Sequence, residues 1–256
     1  MSLSAACRAA LPVPPGFGIE VALVNAVVAG DSASRAGIIE VFQAMATAVA
    51  VRSSAVGEDS SDASFAGQHD TVMNVRTPDE LIDAICQVHA SAHTASARAY
   101  RQRVGATEEA HIAVAMQAQL PSEKAGVLFT RNPVNGADER YIEASWGLGE
   151  AVVAGMVVPD TYRISAWPDR CEILAREAGE KDVMLAINAA GGTDEMDVAP
   201  DLVEALCLSD DELADLHQLA LVCEAAYGKN LDMEFAFYAG EVYLLQCRTI
   251  TVIHQQ

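Results

Sequence analysis

The chain has 256 residues, of which 16 are lysine or arginine and 36 are aspartate or glutamate, so its formal net charge is −20 at pH 7. Such a charge repels nucleic acid and anionic membrane surfaces, which excludes a function that depends on nonspecific contact with either. The length is sufficient for one large domain or two lobes, and 51% hydrophobic with 20% charged residues is typical of a globular protein with a full core.

The six cysteines are far apart, and no two of them have the paired spacing of a zinc site. We expect them to pack as small apolar side chains in a reducing compartment. The N-terminus lacks the charged and then apolar order of a secretory signal, and no apolar run approaches the roughly 18 residues of a membrane span. The sequence therefore predicts a cytoplasmic protein that is neither exported nor membrane-spanning.

The first predicted elements are a helix over 34–46 and a buried strand that ends in Val51 and leads directly into Arg52. Turn-forming residues follow, including Gly67, and a second strand is predicted over 71–75. An arginine at the mouth of a buried strand is costly unless an anion meets it, and a guanidinium group suits phosphate oxygens. On composition alone, a phosphate-binding loop and an ordinary strand–loop–strand unit remain equal alternatives.

The middle of the chain predicts a long helix and then a series of strands. Thr77-Pro78-Asp79-Glu80 is a strong helix start, and the apolar spacing extends the helix to about residue 103. A break between lobes is expected at 105–109. The segment 111–120 predicts a strand that turns polar at Gln117.

An acidic, mobile connection is expected over 194–206, and Ser209 with Glu212 predicts the capped start of a helix that ends near Gly228. The segment 231–250 then predicts a hairpin. With a three-residue loop, Glu234 lies opposite Gln246, and Arg248 lies on the same face. Such a set of oxygens beside a guanidinium suits magnesium and a phosphate chain, although a cross-strand ion pair between Glu234 and Arg248 explains it equally well.

The phrases VRSSA…ED…ASFAGQ…T…NV (residues 51–75) and DMEF…EVYLLQCR (232–248) resemble the N-terminal nucleotide-binding domain shared by phosphoenolpyruvate synthase, pyruvate phosphate dikinase and rifampicin phosphotransferase. That domain belongs to the ATP-grasp class. The resemblance implies an α+β, two-lobed ATP-grasp fold with ATP in the cleft between the lobes. It implies a shortened N-terminal lobe over 1–109 and a C-terminal lobe over 110–256 that ends in the metal-binding hairpin.

The resemblance also implies roles for particular residues. Nucleotide contacts are expected from Arg52, Gly67, Thr71, Gln117, Glu234, Gln246 and Arg248. Within that set, Gln117 stands at the hinge where adenine binds, Glu234 and Gln246 at positions that contact Mg²⁺, and Arg52 and Arg248 at catalytic positions. The implied reaction transfers phosphate from Mg-ATP to a histidine on a separate swivelling domain or partner.

Two departures from the family pattern set an alternative. The family carries a lysine in a Gly-Gly-Lys stretch that is not matched here, and Val56 stands where the family usually has threonine. One hypothesis is an ATP-dependent phosphotransferase module, incomplete on its own. The other is a catalytically inactive nucleotide-binding or regulatory protein. The sequence leaves the final phosphate acceptor and the oligomeric state open.

Overall fold

A computed structural model of the chain describes residues 6, 9–55, 71–94 and 111–250. Two compact units are present. The smaller unit comprises Pro15–Gln119 with Asn188–Thr193, and the larger unit comprises Met1–Pro14, Leu120–Ile187 and Asp194–Gln256. Each unit has its own hydrophobic core.

The smaller unit is a four-stranded antiparallel sheet with helices packed on one face. Its strands are β1 (Gly16–Ile19), β2 (Val49–Ala55), β3 (Thr71–Val75) and β4 (Ile112–Ala118), and their order in the sheet is β1-β4-β2-β3. Its helices within residues 15–55, 71–94 and 111–119 are α1 (Val21–Val28), α2 (Ser32–Met45) and α3 (Pro78–Ser91). Alternate residues of the strands, among them Val49, Val51, Val114 and Met116, pack with the helices in the core.

Helix α3 begins as predicted but ends earlier. The Thr77 Oγ1 accepts from the Glu80 backbone N–H at 3.3 Å, and Glu80 Oε2 accepts from the Thr77 N–H at 3.2 Å, which completes a capping box. The helix ends at Ser91, so its predicted continuation toward residue 103 is wrong for residues 92–94. There the His93 backbone N–H donates to the Ala90 carbonyl, three residues earlier, at 2.9 Å. Residues 95–110 lie outside the described part of the chain.

The larger unit is built on a six-stranded antiparallel sheet with the order β12-β11-β5-β6-β7-β8. The bounds of these strands are β5 Lys124–Phe129, β6 Glu139–Trp146, β7 Asp160–Ser165, β8 Ile173–Glu177, β11 Leu231–Tyr238 and β12 Glu241–Thr249. A second sheet pairs β9 (Val183–Ile187) with β10 (Thr193–Asp197). The segment 194–206, expected to be a mobile connection, therefore begins with the last four residues of a strand, β10.

The described residues 120–187 and 194–250 of this unit also form two helices, α4 (Glu150–Val153) and α5 (Asp210–Tyr227). The predicted capping box of Ser209 and Glu212 is confirmed at the start of α5. The apolar side of α5, including Leu213, Leu216 and Cys223, lies in one core with apolar residues of the sheet such as Leu128, Ile142, Tyr162 and Met233. Because this side of the sheet is buried by α5, the alternate residues of the strands form a separate polar face.

The C-terminal hairpin has the predicted pairing but a different turn. Tyr238 pairs with Glu241, so the loop contains only Ala239 and Gly240, which have φ angles of 53° and 78°. Positive φ at both positions is typical of the tight two-residue turn. A bulge then shifts the register between Glu234 and Phe235, which brings Glu234 opposite Gln246. The predicted pair is thus confirmed, whereas the predicted three-residue loop is wrong.

A fully buried ion pair ties the start of β7 to the chain that follows β8. Lys181 Nζ donates to Asp160 Oδ1, and both side chains are 0% exposed. The backbone N–H groups of Gly179 and Cys207 also donate to the Asp160 carboxylate, at 2.8 and 2.7 Å, and the Tyr162 hydroxyl donates at 3.2 Å. A buried carboxylate with this number of donors is well satisfied, so it fixes the geometry of the sheet at this point.

The helices and antiparallel sheets together confirm the predicted α+β class. None of the helices within 9–55, 71–94 and 111–250 combines the length and the apolar character needed to span a bilayer.

Candidate functional site

The polar face of the six-stranded sheet carries the predicted residues of the C-terminal hairpin. Directly paired residues of antiparallel strands project to the same side, so the register defines rows across the sheet. The first row is Gln246, Glu234, Val127, Glu143, Thr161 and Glu177, and the second is Arg248, Asp232, Phe129, Tyr141 and Arg163. We call this surface the polar sheet face. The structure therefore brings Glu234, Gln246 and Arg248 together.

Arg248 forms an ion pair with Asp232, a residue for which the sequence predicted no role. Its Nε donates to Asp232 Oδ2 at 2.8 Å, and the two side chains are 20% and 14% exposed. Burial raises the pKa of Asp232 above its ordinary value; the charge of Arg248 opposes this shift, and the charge of Glu234 adds to it. The signal for Asp232 was present in the sequence, because a residue two positions before Glu234 lies on the same side of a strand.

The donors at the paired positions 234 and 246 are a carboxylate and an amide oxygen. Hard oxygen donors of this kind fit Mg²⁺, which takes one or two carboxylates from a protein and the rest of its shell from water and phosphate. Within the described residues there is no group of three or more His, Cys, Asp and Glu side chains placed to hold a metal ion.

Glu143 and Tyr141 lie beside this pair on the polar sheet face. The Tyr141 hydroxyl donates to Glu143 Oε1 at 3.3 Å. Burial raises the pKa of Tyr141, and the Glu143 and Glu177 charges raise it further, whereas a hydrogen bond with Thr161 lowers it. Tyr141 therefore keeps its proton at neutral pH and acts as a donor to Glu143.

The predicted residues of the smaller unit also share one sheet face. Arg52 pairs with Thr71 on β3 and with Ala115 on β4, two residues before Gln117. These side chains project from the face opposite to the helices, because Val51 and Met116 project into the core. Gln117 is 3% exposed. Gly67 lies outside the described residues, and the convergence of Arg52 and Arg248 on one ligand stays a prediction.

Asn74, for which the sequence predicted no role, holds a loop of the smaller unit in place. It has a left-handed φ of 55° and is 0% exposed. Its Nδ2 donates to the carbonyls of Asn188 and Gly192 at 2.7 and 2.6 Å, while its backbone N–H donates to Gln119 Oε1 at 3.3 Å. A left-handed asparagine is common at turns, but its partners lie more than 100 residues away in sequence. Sequence reasoning therefore had no signal for this contact.

A comparison with protein families matches residues 32–256 to the pyruvate phosphate dikinase AMP/ATP-binding domain. The chain belongs to this family. Membership in the AMP/ATP-binding domain family confirms the resemblance seen in the sequence, and with it the expected ATP-grasp class.

Relatives of this AMP/ATP-binding domain include a probable phosphoenolpyruvate synthase of Methanocaldococcus jannaschii, which is 40% identical over 207 residues, or 80% of the chain and 17% of the relative. The rifampicin phosphotransferase of Streptomyces sviceus is 35% identical over 209 residues, or 81% of the chain and 24% of the relative. The chain thus spans less than a third of the length of either protein. Among solved structures, the D-alanine-D-alanine ligase of Coxiella burnetii has a TM-score of 0.44 and 9% identity, and the match covers 96% of the chain and 45% of the ligase.

Proposed function

We propose that the chain is the ATP-binding module of a phosphotransferase and that it transfers phosphate from Mg-ATP to a histidine on a separate domain or partner protein. The observation that carries the proposal is the arrangement on the C-terminal hairpin. There Glu234 pairs with Gln246, and the Arg248–Asp232 ion pair occupies the next row of the same face. A carboxylate, an amide oxygen and a guanidinium on one partly exposed surface match the chemistry of a metal-bound phosphate chain.

In this proposal the hairpin residues have different roles in binding Mg-ATP. Glu234 and Gln246 hold Mg²⁺, which when bound neutralises and orients the phosphate chain. Arg248 donates hydrogen bonds to the phosphoryl group that is transferred and stabilises the charge that develops on it. Asp232, through its bond to the Nε of Arg248, positions the guanidinium, because it restricts the rotation of this long side chain.

The residues of the smaller unit bind the remaining parts of the nucleotide. Arg52 and Thr71, which are paired across β2 and β3, contact phosphate oxygens through a guanidinium and a hydroxyl group. Gln117 lies near the end of β4, and the backbone just beyond it presents hydrogen-bonding groups to the purine. This arrangement assigns no covalent role to the module, which acts by positioning and charge stabilisation.

The acceptor histidine is proposed to reside elsewhere, because no segment of the chain resembles the glycine- and serine-rich setting of that histidine. The matched relatives have ample length for further domains, since the chain spans 17% and 24% of two of them. The identity of the final acceptor, pyruvate or an antibiotic, depends on those other domains.

A thermal unfolding experiment with and without Mg-ATP tests the nucleotide part of this proposal. A ligand that binds only the folded state raises the melting temperature, by an amount that grows with its concentration above Kd. Transfer is then tested by adding a histidine-bearing domain of a phosphoenolpyruvate synthase and measuring acid-labile phosphate on that domain together with AMP or ADP release. ATP binding without nucleotide turnover would favour the alternative, an inactive nucleotide-binding or regulatory protein. The absence of any ATP-dependent stabilisation would overturn both readings.

A further inference from the structure

We propose that Glu143 is a further metal-positioning residue of the nucleotide site and that it holds, together with Glu234, the hydrated divalent cation that accompanies ATP. This inference rests on the proposed function and deepens it, because it gives a role to a residue outside the sequence motifs on which that function was argued.

Glu143 and Glu234 lie close together on the sheet. Glu234 pairs with Val127, and Val127 pairs with Glu143, so the two carboxylates lie in one row of the polar sheet face with a single strand between them. Neighbouring strands are about 4.8 Å apart, which places the two Cα atoms roughly 9.6 Å apart. The residue between them has a short apolar side chain that is 8% exposed. The two longer carboxylate side chains therefore stand on either side of the Val127 side chain, at a spacing that one hydrated ion can bridge with water between the ion and at least one of the carboxylates.

In the described part of the chain, the charge of Glu143 is not compensated in the way that the charges of nearby carboxylates are. Asp232 is paired with Arg248, and Glu139 on the same strand as Glu143 is paired with Arg163 at 3.4 Å. Within the described residues Glu143 has no such cationic partner, and its side-chain contact there is the neutral hydroxyl of Tyr141. A half-buried carboxylate without a cation is unfavourable, most of all in a chain with a net charge of −20. A cation from solution removes this cost.

The buried hydroxyl group of Ser145 lies next to Glu143 on the same strand. Ser145 follows Glu143 on the same side of β6 and is 1% exposed, and its Oγ has no hydrogen-bond partner among the described residues. Buried polar atoms are normally hydrogen-bonded, so this hydroxyl needs a partner that the described part of the chain does not supply. A water molecule of the hydrated ion provides one. The carboxylate and the hydroxyl therefore indicate the same ligand.

The test compares the affinity for ATP in saturating Mg²⁺ with the affinity in EDTA, both measured by isothermal titration calorimetry. Residues that orient a metal shell typically contribute roughly 10- to 100-fold in metal affinity, so Glu143→Gln should weaken ATP binding by roughly that factor in Mg²⁺. In EDTA the same variant should bind ATP as tightly as the wild type or more tightly, because one negative charge near the phosphates is gone. A merely structural role would weaken binding under both conditions.

Glu177→Gln is the matched control. Glu177 lies in the same row, beyond Thr161, but on the outermost strand and exposed to solvent. Removal of its screened charge should change either affinity by no more than about twofold. Tyr141→Phe keeps the carboxylate but removes its hydrogen bond, and should give a smaller loss than Glu143→Gln that is again confined to Mg²⁺.

The outcomes separate the two proposals. If the wild type binds Mg-ATP and Glu143→Gln binds it equally well, the role of Glu143 is refuted while the proposed function stands. If Glu143→Gln does not fold, equal Mg²⁺ dependence in Tyr141→Phe and the wild type refutes the role. If the wild type shows no ATP binding under either condition, the proposed function fails, and the inference fails with it.

Discussion

Replacement of Arg248 by alanine should weaken Mg-ATP binding for two separate reasons. The substitution removes the guanidinium that contacts phosphate in the proposed site. It also leaves the Asp232 carboxylate, 14% exposed, without the Nε donor that lies 2.8 Å away in the wild type. Asp232 shares its sheet face with Glu234, so the variant presents an additional uncompensated negative charge to an anionic ligand.

The magnitude follows from the energy of a charged hydrogen bond. Such bonds contribute about 1.5–3 kcal/mol, and each 1.4 kcal/mol corresponds to about a tenfold change in affinity. The dissociation constant of Mg-ATP should therefore rise by about 10- to 150-fold in Arg248→Ala from the lost contact alone. Repulsion by Asp232 adds to this, which makes the value a lower bound.

Calorimetry on three variants tests this reasoning. The double variant Arg248→Ala with Asp232→Asn removes the extra charge, so it should recover part of the affinity lost in Arg248→Ala. Arg176→Ala is the control, because Arg176 forms a similar ion pair with Asp210 at 2.7 Å but projects to the other side of the sheet. It should leave the affinity unchanged. Wild-type affinity in Arg248→Ala, or a double variant weaker than the single one, would refute the argument.

Two further predictions concern stability. Lys181→Met should lower the free energy of unfolding by about 3–5 kcal/mol, because it leaves the buried Asp160 carboxylate without its cation; a loss below about 1 kcal/mol in urea titrations would contradict this. His217 accepts a hydrogen bond from the buried Arg140 at 3.1 Å, and burial, together with the Arg140 charge, lowers the pKa of His217 below 6.5. The unfolded chain therefore binds a proton more readily than the folded chain, so stability should fall as the pH drops below 6.5. The free energy of unfolding of His217→Gln should fall less steeply over that pH range. Parallel pH profiles of the variant and the wild type would contradict the role given to His217.

The hairpin illustrates how far strand alternation alone can reach. Alternation and an assumed turn placed Glu234 opposite Gln246, and the structure confirms that pair. The route was nevertheless different, because a two-residue turn and a bulge replace the three-residue loop. Turn length and bulges change the register by one residue each, and both depend on how the strands pack in the finished sheet.

Features whose partners are near neighbours in the chain could be predicted from the amino-acid sequence, such as the capping boxes of Thr77 with Glu80 and Ser209 with Glu212. The family could be predicted as well, because two motifs that lie far apart in the chain carry enough residues to be specific. In contrast, the position of Glu143 in the same row as Glu234 and the contact of Asn74 with the loop at 188–192 became visible only in the folded chain. The difference between these features is the sequence separation of the residues in contact. Contacts within one turn of helix depend on local geometry, whereas contacts across a sheet depend on which strands become neighbours when the core forms.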